Sequence, residues 1–330
     1  MAVTMKEIAQ KLNISIATVS RALSGKDESV SPETRQAIHA IVNQYGFRKR
    51  RTIGKSVAFV IDKDLFNLSS QFYAGIISGV EEELIKNRYY FHFNSIESEF
   101  FDLNMLNLNF NDLAGVIIAG VYHNEFVLKL RDLMIPMVLV DYFIPTEEIP
   151  SVIIDNPNGI MKACRHLAEL GHKRVAYISG DKIEISAQER LFGFERSREM
   201  FGFEGDDSYI IGCRGRIDGA FHAMTTLLDK DPPPTAVVAY NDLIALGAMD
   251  AIKQRGLSVP QDISVIGFDD IVLASEMIPP LTTIHVPTPL MGVIAVKKLF
   301  QIMRGIDDQV HKIVVPTTLI IRASAAPPKF

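Results

Sequence analysis

The chain has 330 residues, more than one ordinary hydrophobic core accommodates, so two or three domains are expected. It is 48% hydrophobic and 22% charged, and no apolar run is long enough to cross a bilayer, which excludes an integral membrane helix and fits a soluble globular protein. The net charge of −5 is unevenly spread: residues 1–55 hold ten Lys and Arg against four Asp and Glu, and residues 56–330 hold 24 against 35, so a basic head precedes an acidic body. The opening MAVTMKEIAQ lacks a basic region followed by an apolar core, so no secretory signal is expected. Two cysteines, Cys164 and Cys213, give no disulfide framework, and a cytoplasmic setting is expected.

The head reads as three short helices. Thr4 and Glu7 have the spacing of a capping box, followed by Met5, Ile8, Ala9 and Leu12 at helical intervals. Asn13 stands where a tight turn is needed and tolerates left-handed backbone angles. Ser15 can cap a second helix over roughly 16–23, and Ser31-Pro32 opens a third. This is the pattern of a helix-turn-helix unit. On the second helix Val19, Ala22 and Leu23 share one side, turned toward the other helices. Ile16, Ala17, Ser20 and Arg21 share the other, at the end that enters a major groove. Arg21 can make a bidentate contact to guanine, whereas Ile16 and Ala17 can only touch a thymine methyl. The alternative for such a bundle is protein binding; the charge asymmetry favours DNA.

After the head, Arg48, Lys49, Arg50 and Arg51 form a basic cluster in a short linker, 48–55. The body at 56–330 alternates strands and helices. Strands are expected at 56–62, 89–95, 114–120 and 136–141, all buried on both faces, with helices at 70–86 and 124–133. After 151–156 the pattern restarts, with strands at 174–180, 236–242 and 264–270 and helices near 157–170, 185–201, 218–229 and 242–255. Two successive halves of this kind imply two parallel sheets with a cleft between them, where ligands bind at the carboxyl ends of strands. No G-x-G dinucleotide fingerprint occurs, Gly54-Lys55-Ser56 lacks the rest of a P-loop, and no nucleophile or zinc constellation is visible, so neither enzyme chemistry nor a cofactor is expected.

The segment ISIATVSRAL followed by VSPETR resembles the DNA-binding head of the lac repressor and gal repressor family. HLAELGHKRVAYISG, AQERLFGFERS, AYNDLIALGAMDAIKQRGLSVPQDISVIGFDD and PPLTTIHVP resemble its effector domain, so the likeness covers nearly the whole chain. The fold it implies is a small all-α helix-turn-helix head (1–47) on a two-lobed α/β body of the type I periplasmic-binding-protein kind. The implied crossovers lie near 148–151, 281–286 and 308–312, which gives a first lobe of about 56–148 and 282–310 and a second of about 151–280 and 312–330. The last helix, 289–305, then belongs to the first lobe.

The function the resemblance implies is a transcriptional regulator, a repressor, that binds a near-palindromic double-stranded DNA operator as a homodimer. A small polar effector, a sugar or sugar derivative, would control it from the cleft. Ile16, Ala17 and Arg21 are then the base-reading positions, Thr18 and Ser20 lie near phosphates, and Thr4 and Ser15 are counted with the DNA-contacting residues. Phe72, Tyr73, Asp141, Arg190, Asn241 and Asp269 become the effector residues. Two carboxylates, an amide and a guanidinium can hold adjacent hydroxyls with several hydrogen bonds each. Relatives carry a longer linker with a minor-groove wedge; here Arg48–Arg51 follow Phe47 at once, and either a basic arm along the DNA or a solvated tether takes its place. The competing reading is a sugar-binding protein or sugar-processing enzyme with no DNA function.

Overall fold

The structure is a computed structural model, and it describes residues 5–24, 30–45, 54–63, 66, 70–97, 112–120, 124–181, 184–213, 215–306 and 312–329. The head contains α1 (Met5–Leu12), α2 (Ile16–Ser24) and α3 (Pro32–Tyr45). Asn13 adopts a φ of 52° and lets the chain turn between α1 and α2, while the Ile14 amide donates to the Ala9 carbonyl at 3.0 Å and closes the end of α1. Ile8, Ala9, Val19, Ala22, Val30, Ile38 and Val42 pack into one small core.

The first lobe is a six-stranded sheet in the order β11-β5-β4-β3-β1-β2, in which every pair is parallel. Its strands are β1 (Ser56–Asp62), β2 (Tyr90–Ile96), β3 (Leu113–Ala119), β4 (Met137–Val140), β5 (Ser151–Ile154) and β11 (Lys312–Val315). Alternate residues of β1 serve opposite faces. Val57, Phe59 and Ile61 face α4 (Ser70–Lys86) and α11 (Thr288–Arg304), while Ala58 and Val60 face α5 (Asn124–Asp132). The helices α4 and α11 cross at backbone-to-backbone distance. A Cβ on Gly79 would lie 2.0 Å from the Pro289 carbonyl oxygen, and one on Gly292 2.2 Å from that of Ile76. This close crossing fixes the last helix in the first lobe, as the family likeness implied.

The second lobe is another six-stranded sheet, in the order β12-β10-β9-β8-β6-β7. Its strands are β6 (Val175–Ser179), β7 (Ile210–Gly212), β8 (Ala236–Ala239), β9 (Ser264–Asp269), β10 (Thr282–His285) and β12 (Thr318–Ile320). Helices α6 (Asn156–Glu169) and α7 (Ile185–Phe201) cover one face, and α8 (Ile217–Leu228) and α9 (Asp242–Gln254) cover the other; a short α10 (Val272–Glu276) follows β9. The strand β12 runs antiparallel to β10, so this sheet is mixed rather than wholly parallel.

Two kinds of sequence expectation need correction, the lobe of three strands and the burial of β2. The segments 151–154 and 312–315, assigned to the second lobe, and 282–285, assigned to the first, lie in the opposite sheets. Ser151 pairs with Leu139 and with Lys312, and Thr282 pairs with Ile266. The chain therefore changes lobe after Ile154 and after Val315, a few residues beyond the first and third expected crossovers, and after His285, within the second. These are strands of four residues, and nothing within so short a run specifies which sheet receives it. Finally, β2 is not buried on both faces. It is the sheet edge, with Tyr90 and Phe93 exposed.

Candidate functional site

Two surfaces collect the predicted residues. On the head, Ser15 caps α2: its Oγ accepts the Thr18 amide at 2.9 Å and lies 2.8 Å from Thr18 Oγ1. The α2 side containing Val19 and Ala22 is buried, with Leu23 half-buried against the same core. The opposite side presents Ile16, which is 50% exposed, together with exposed Ala17 and Arg21 and half-buried Thr18 and Ser20. Arg21 Nε donates to the Ala17 carbonyl at 3.3 Å, which lays its stem along the helix. The result is a convex helix face with a cation, two apolar contacts and hydroxyls, of a size that a major groove admits. Thr4 and the cluster Arg48, Lys49, Arg50 and Arg51 lie outside the described residues.

The second surface is the cleft between the lobes. Phe72, Tyr73, Asp141, Arg190, Asn241 and Asp269 all line it, joined by Glu184, Ser186, Gly215 and Tyr240, around about 530 Å³ of empty space that is partly open solvent. The fold explains the convergence, because strand ends deliver the polar groups. Asp141 follows β4, Tyr240 and Asn241 follow β8, and Asp269 closes β9; Phe72 and Tyr73 come from the first turn of α4. Asp141 and Asp269 occupy positive φ, 56° and 108°, where non-glycine residues are strained. The strain sits where two carboxyl groups turn into a shared space. The neighbouring Asp270 is engaged elsewhere, by Arg322 Nη2 at 2.7 Å and His285 Nδ1 at 3.0 Å.

Arg190 organises the second-lobe wall. It is 3% exposed and lies over the Phe268 ring at 3.7 Å and near the Tyr240 ring at 4.7 Å. Its Nε donates to Asn156 Oδ1 (2.8 Å), Nη1 to the Tyr240 carbonyl (2.7 Å) and Nη2 to Asp269 Oδ1 (3.2 Å). Asn156 is the first residue of α6, directly after the first crossover, and its Nδ2 donates to Glu189 Oε2 at 2.9 Å. The Asn241 side chain caps α9 by accepting the Ile244 amide at 3.0 Å. On the first-lobe side the Tyr73 hydroxyl donates to Asp141 Oδ2 at 3.1 Å, and the Phe72 ring meets that of Tyr73 edge-on at 5.2 Å.

The electrostatics follow from burial. Desolvation pushes Asp141 up to about 7 and Asp269 to about 6, opposed in both by the positive charge of Arg190. Burial also raises Glu184, and it holds the Tyr73 and Tyr240 hydroxyls well above their ordinary value, so both phenols remain donors. The arrangement can grip a small polar molecule from both lobes. Among the described residues no group of His, Cys, Asp and Glu forms a metal cluster.

Glu184, Ser186 and Tyr240 were missed by the sequence reading. The Tyr240 hydroxyl donates to Glu184 Oε2 at 2.6 Å and lies 2.9 Å from Ser186 Oγ, a link spanning more than fifty residues. The available signal was position: Tyr240 follows the carboxyl end of β8 and precedes Asn241, where ligand groups gather in such sheets.

Residues 4–49 match the family described as "Bacterial regulatory proteins, lacI family", and residues 164–325 match the "Periplasmic binding protein-like domain". The chain is 33% identical over 334 residues to the HTH-type transcriptional repressor CytR of Escherichia coli (strain K12), covering 98% of this chain and 96% of that one. It is 30% identical to the HTH-type transcriptional regulator CelR of Thermobifida fusca over 97% and 98% of the two chains. Among solved structures, the transcriptional regulator CelR–cellobiose complex superposes with a TM-score of 0.75 at 30% identity, covering 98% of this chain and all of that one. The operator-bound lac repressor dimer shares the fold, with a TM-score of 0.72 at 24% identity over 99% and 100% of the chains.

Proposed function

The chain belongs to the lacI family of bacterial regulatory proteins, and from that premise we propose that it binds a near-palindromic operator as a homodimer and releases or tightens it when a small polar effector, a sugar, occupies the cleft. That it is a DNA-binding transcriptional regulator follows from the family. The operator-reading residues are Ile16, Ala17 and Arg21 with Ser15, Thr18 and Ser20 beside them, and Thr4 and Arg48–Arg51 extend this surface along the DNA. The effector residues are Phe72, Tyr73, Asp141, Arg190, Asn241 and Asp269.

The observation that carries the cleft reading is the pair of strained carboxyl groups, one from each lobe, facing one space beside an Arg190 whose three nitrogens each donate a hydrogen bond. Strain of this kind persists where the surroundings hold it for a purpose. The cellobiose bound to the CelR structure supports a sugar as the ligand class. Three chain segments cross between the lobes, after Ile154, His285 and Val315, so a ligand that bridges Asp141 and Asp269 favours one lobe setting over another and thereby one spacing of the two heads. Exposed apolar side chains on both lobes, Tyr90 and Phe93 on the β2 edge and Val272 and Ile278 around α10, support self-association. No described helix is long and apolar enough to cross a membrane, and the proposed site of action is the cytoplasm.

Fluorescence anisotropy on genomic operator fragments, titrated with a sugar library, tests the reading. A sugar that changes operator affinity in the wild type and fails to do so in the Asp269→Asn protein is the expected result. Operator binding that no small molecule alters defeats the cleft assignment, and absence of sequence-selective binding defeats the operator assignment.

A further inference from the structure

The cleft has a charge imbalance that goes further than the sugar reading on which this inference rests. Among the described residues lining it, three carry carboxyl groups, Asp141, Glu184 and Asp269, and one is a cation, Arg190. That cation is largely engaged: Nε, Nη1 and Nη2 each donate to a protein acceptor, which accounts for three of its five N–H donors. The two phenol donors are engaged as well, Tyr73 on Asp141 Oδ2 and Tyr240 on Glu184 Oε2. Each carboxyl group has one oxygen occupied in this way and a second, Asp141 Oδ1, Glu184 Oε1 and Asp269 Oδ2, with acceptor capacity left for a ligand. Ser186 Oγ adds another acceptor, and Asn241 contributes its Nδ2 amide as donor.

We propose that the effector is a donor-rich, uncharged or amine-bearing polyhydroxyl compound, that its phosphorylated or carboxylated counterparts are rejected, and that Glu184, held by Tyr240, is the residue that sets this charge selection. Hydroxyl and ammonium groups donate to the spare carboxylate oxygens, and an ammonium also relieves the negative charge gathered there. A phosphate ester would place about two further negative charges in the same space and bring acceptors to a wall of acceptors. The upward displacement of all three carboxyl groups is consistent with this, because burial already disfavours negative charge at these positions. Glu184 is the natural discriminator. It lies outside the Arg190 hydrogen bonds, at the start of α7, and its side chain makes no helix cap, so it is available to the ligand without dismantling the wall.

The test uses the full-length protein and matched sets of probes: glucose, glucosamine and glucose 6-phosphate; galactose, galactosamine and galactose 1-phosphate; cellobiose alone. Affinities are measured by isothermal titration at constant ionic strength, for the wild type and for Glu184→Gln, which keeps an oxygen for the Tyr240 hydroxyl. Within any set that binds, the phosphate ester is expected to bind at least about 100-fold more weakly than its neutral parent. Glu184→Gln is expected to reduce the ratio of amine to neutral affinity about tenfold or more. A phosphate ester that binds more tightly than its parent overturns the proposal while leaving the effector-cleft reading intact. An unchanged amine-to-neutral ratio in Glu184→Gln removes Glu184 from the role. Silence from every probe, with an operator complex indifferent to all of them, overturns the effector reading itself and the charge selection with it.

Discussion

On α2, Ile16 is 50% exposed and Arg21 lies along the helix with an exposed side chain; in the cleft, Arg190 is 3% exposed and bonded to Asn156, Tyr240 and Asp269. Both arginines belong to surfaces proposed to receive a ligand, and they are prepared in opposite ways. The head leaves its recognising side chains outside a core that is complete without them, so its specificity resides in contacts formed on docking. The cleft embeds its recognising groups in the folded lobe, so its geometry is set before any ligand arrives and its integrity is part of the protein's stability. Changes to the head should therefore alter binding and not stability, whereas changes to the cleft should alter both.

Arg190→Ala gives the strongest test. It removes three hydrogen bonds and two ring contacts and leaves Asp269 buried without its ion-pair partner. Removing one partner of a buried pair costs about 3–5 kcal/mol, to be read from denaturant unfolding of the ligand-free protein. Arg190→Lys is expected to recover only part of this, since an ammonium cannot reproduce three divergent guanidinium donors. If Arg190→Ala unfolds at the wild-type midpoint, the cleft is not built as a preorganised network and the contrast with the head fails.

Arg21→Ala probes the other side of the contrast. Loss of a bidentate base contact should cost about 1–3 kcal/mol of discrimination between operator and random DNA, with the melting temperature unchanged. Equal loss on both DNAs would mean that Arg21 meets only phosphate.

The two surfaces also differ in how far the sequence revealed them. The head's face was legible because its logic is local: Val19 and Ala22 point inward and Ile16, Ala17 and Arg21 outward simply from 100° per residue. The strands and helices of the body were legible for the same reason. Sheet membership was not, since Ser151–Ile154 and Lys312–Val315 are recognisable as strands but their pairing partners lie far away in the chain. The exposure of Tyr90 and Phe93 depends on β2 being the edge, a property of the assembled sheet. The six expected cleft residues came from family likeness, and Glu184, Ser186 and Tyr240 escaped because their association is formed only by tertiary structure.

Asp141→Asn sharpens the comparison through pH. Burial raises the folded carboxyl from its ordinary 3.8 to about 7. A folded value above the unfolded one means that the stability associated with this group is complete below about pH 4 and is lost as the pH rises through 7. The asparagine variant has no charge to desolvate and can still accept the Tyr73 hydroxyl. The ligand-free variant should match the wild type near pH 4 and exceed it well above pH 7 by up to about 4 kcal/mol, while its ligand response is lost. A difference that is constant with pH would mean that Asp141 is not desolvated in the cleft. No residue of the α2 face offers a comparable gain in stability, because none is buried as an unneutralised acid.

Ser15 is the case that tests the boundary between the two plans, since it is a proposed DNA contact that also has an internal structural role. Its Oγ accepts the Thr18 amide at 2.9 Å and lies 2.8 Å from Thr18 Oγ1, so it caps the helix that reads the bases. Ser15→Ala should cost about 1 kcal/mol of stability through the lost cap and weaken binding to operator and random DNA alike. Two causes predict that result: a frayed α2, or a lost phosphate contact. Ser15→Asn separates them, because asparagine caps as well as serine does but is larger and brings its own donors. If the cap is what matters, Ser15→Asn restores both the melting temperature of the head and the DNA affinity. If the hydroxyl itself meets phosphate, Ser15→Asn restores stability and leaves affinity low. The first outcome places Ser15 with the prepared groups of the cleft, where folding and binding are inseparable; the second places it with Arg21, outside the core and committed only on docking.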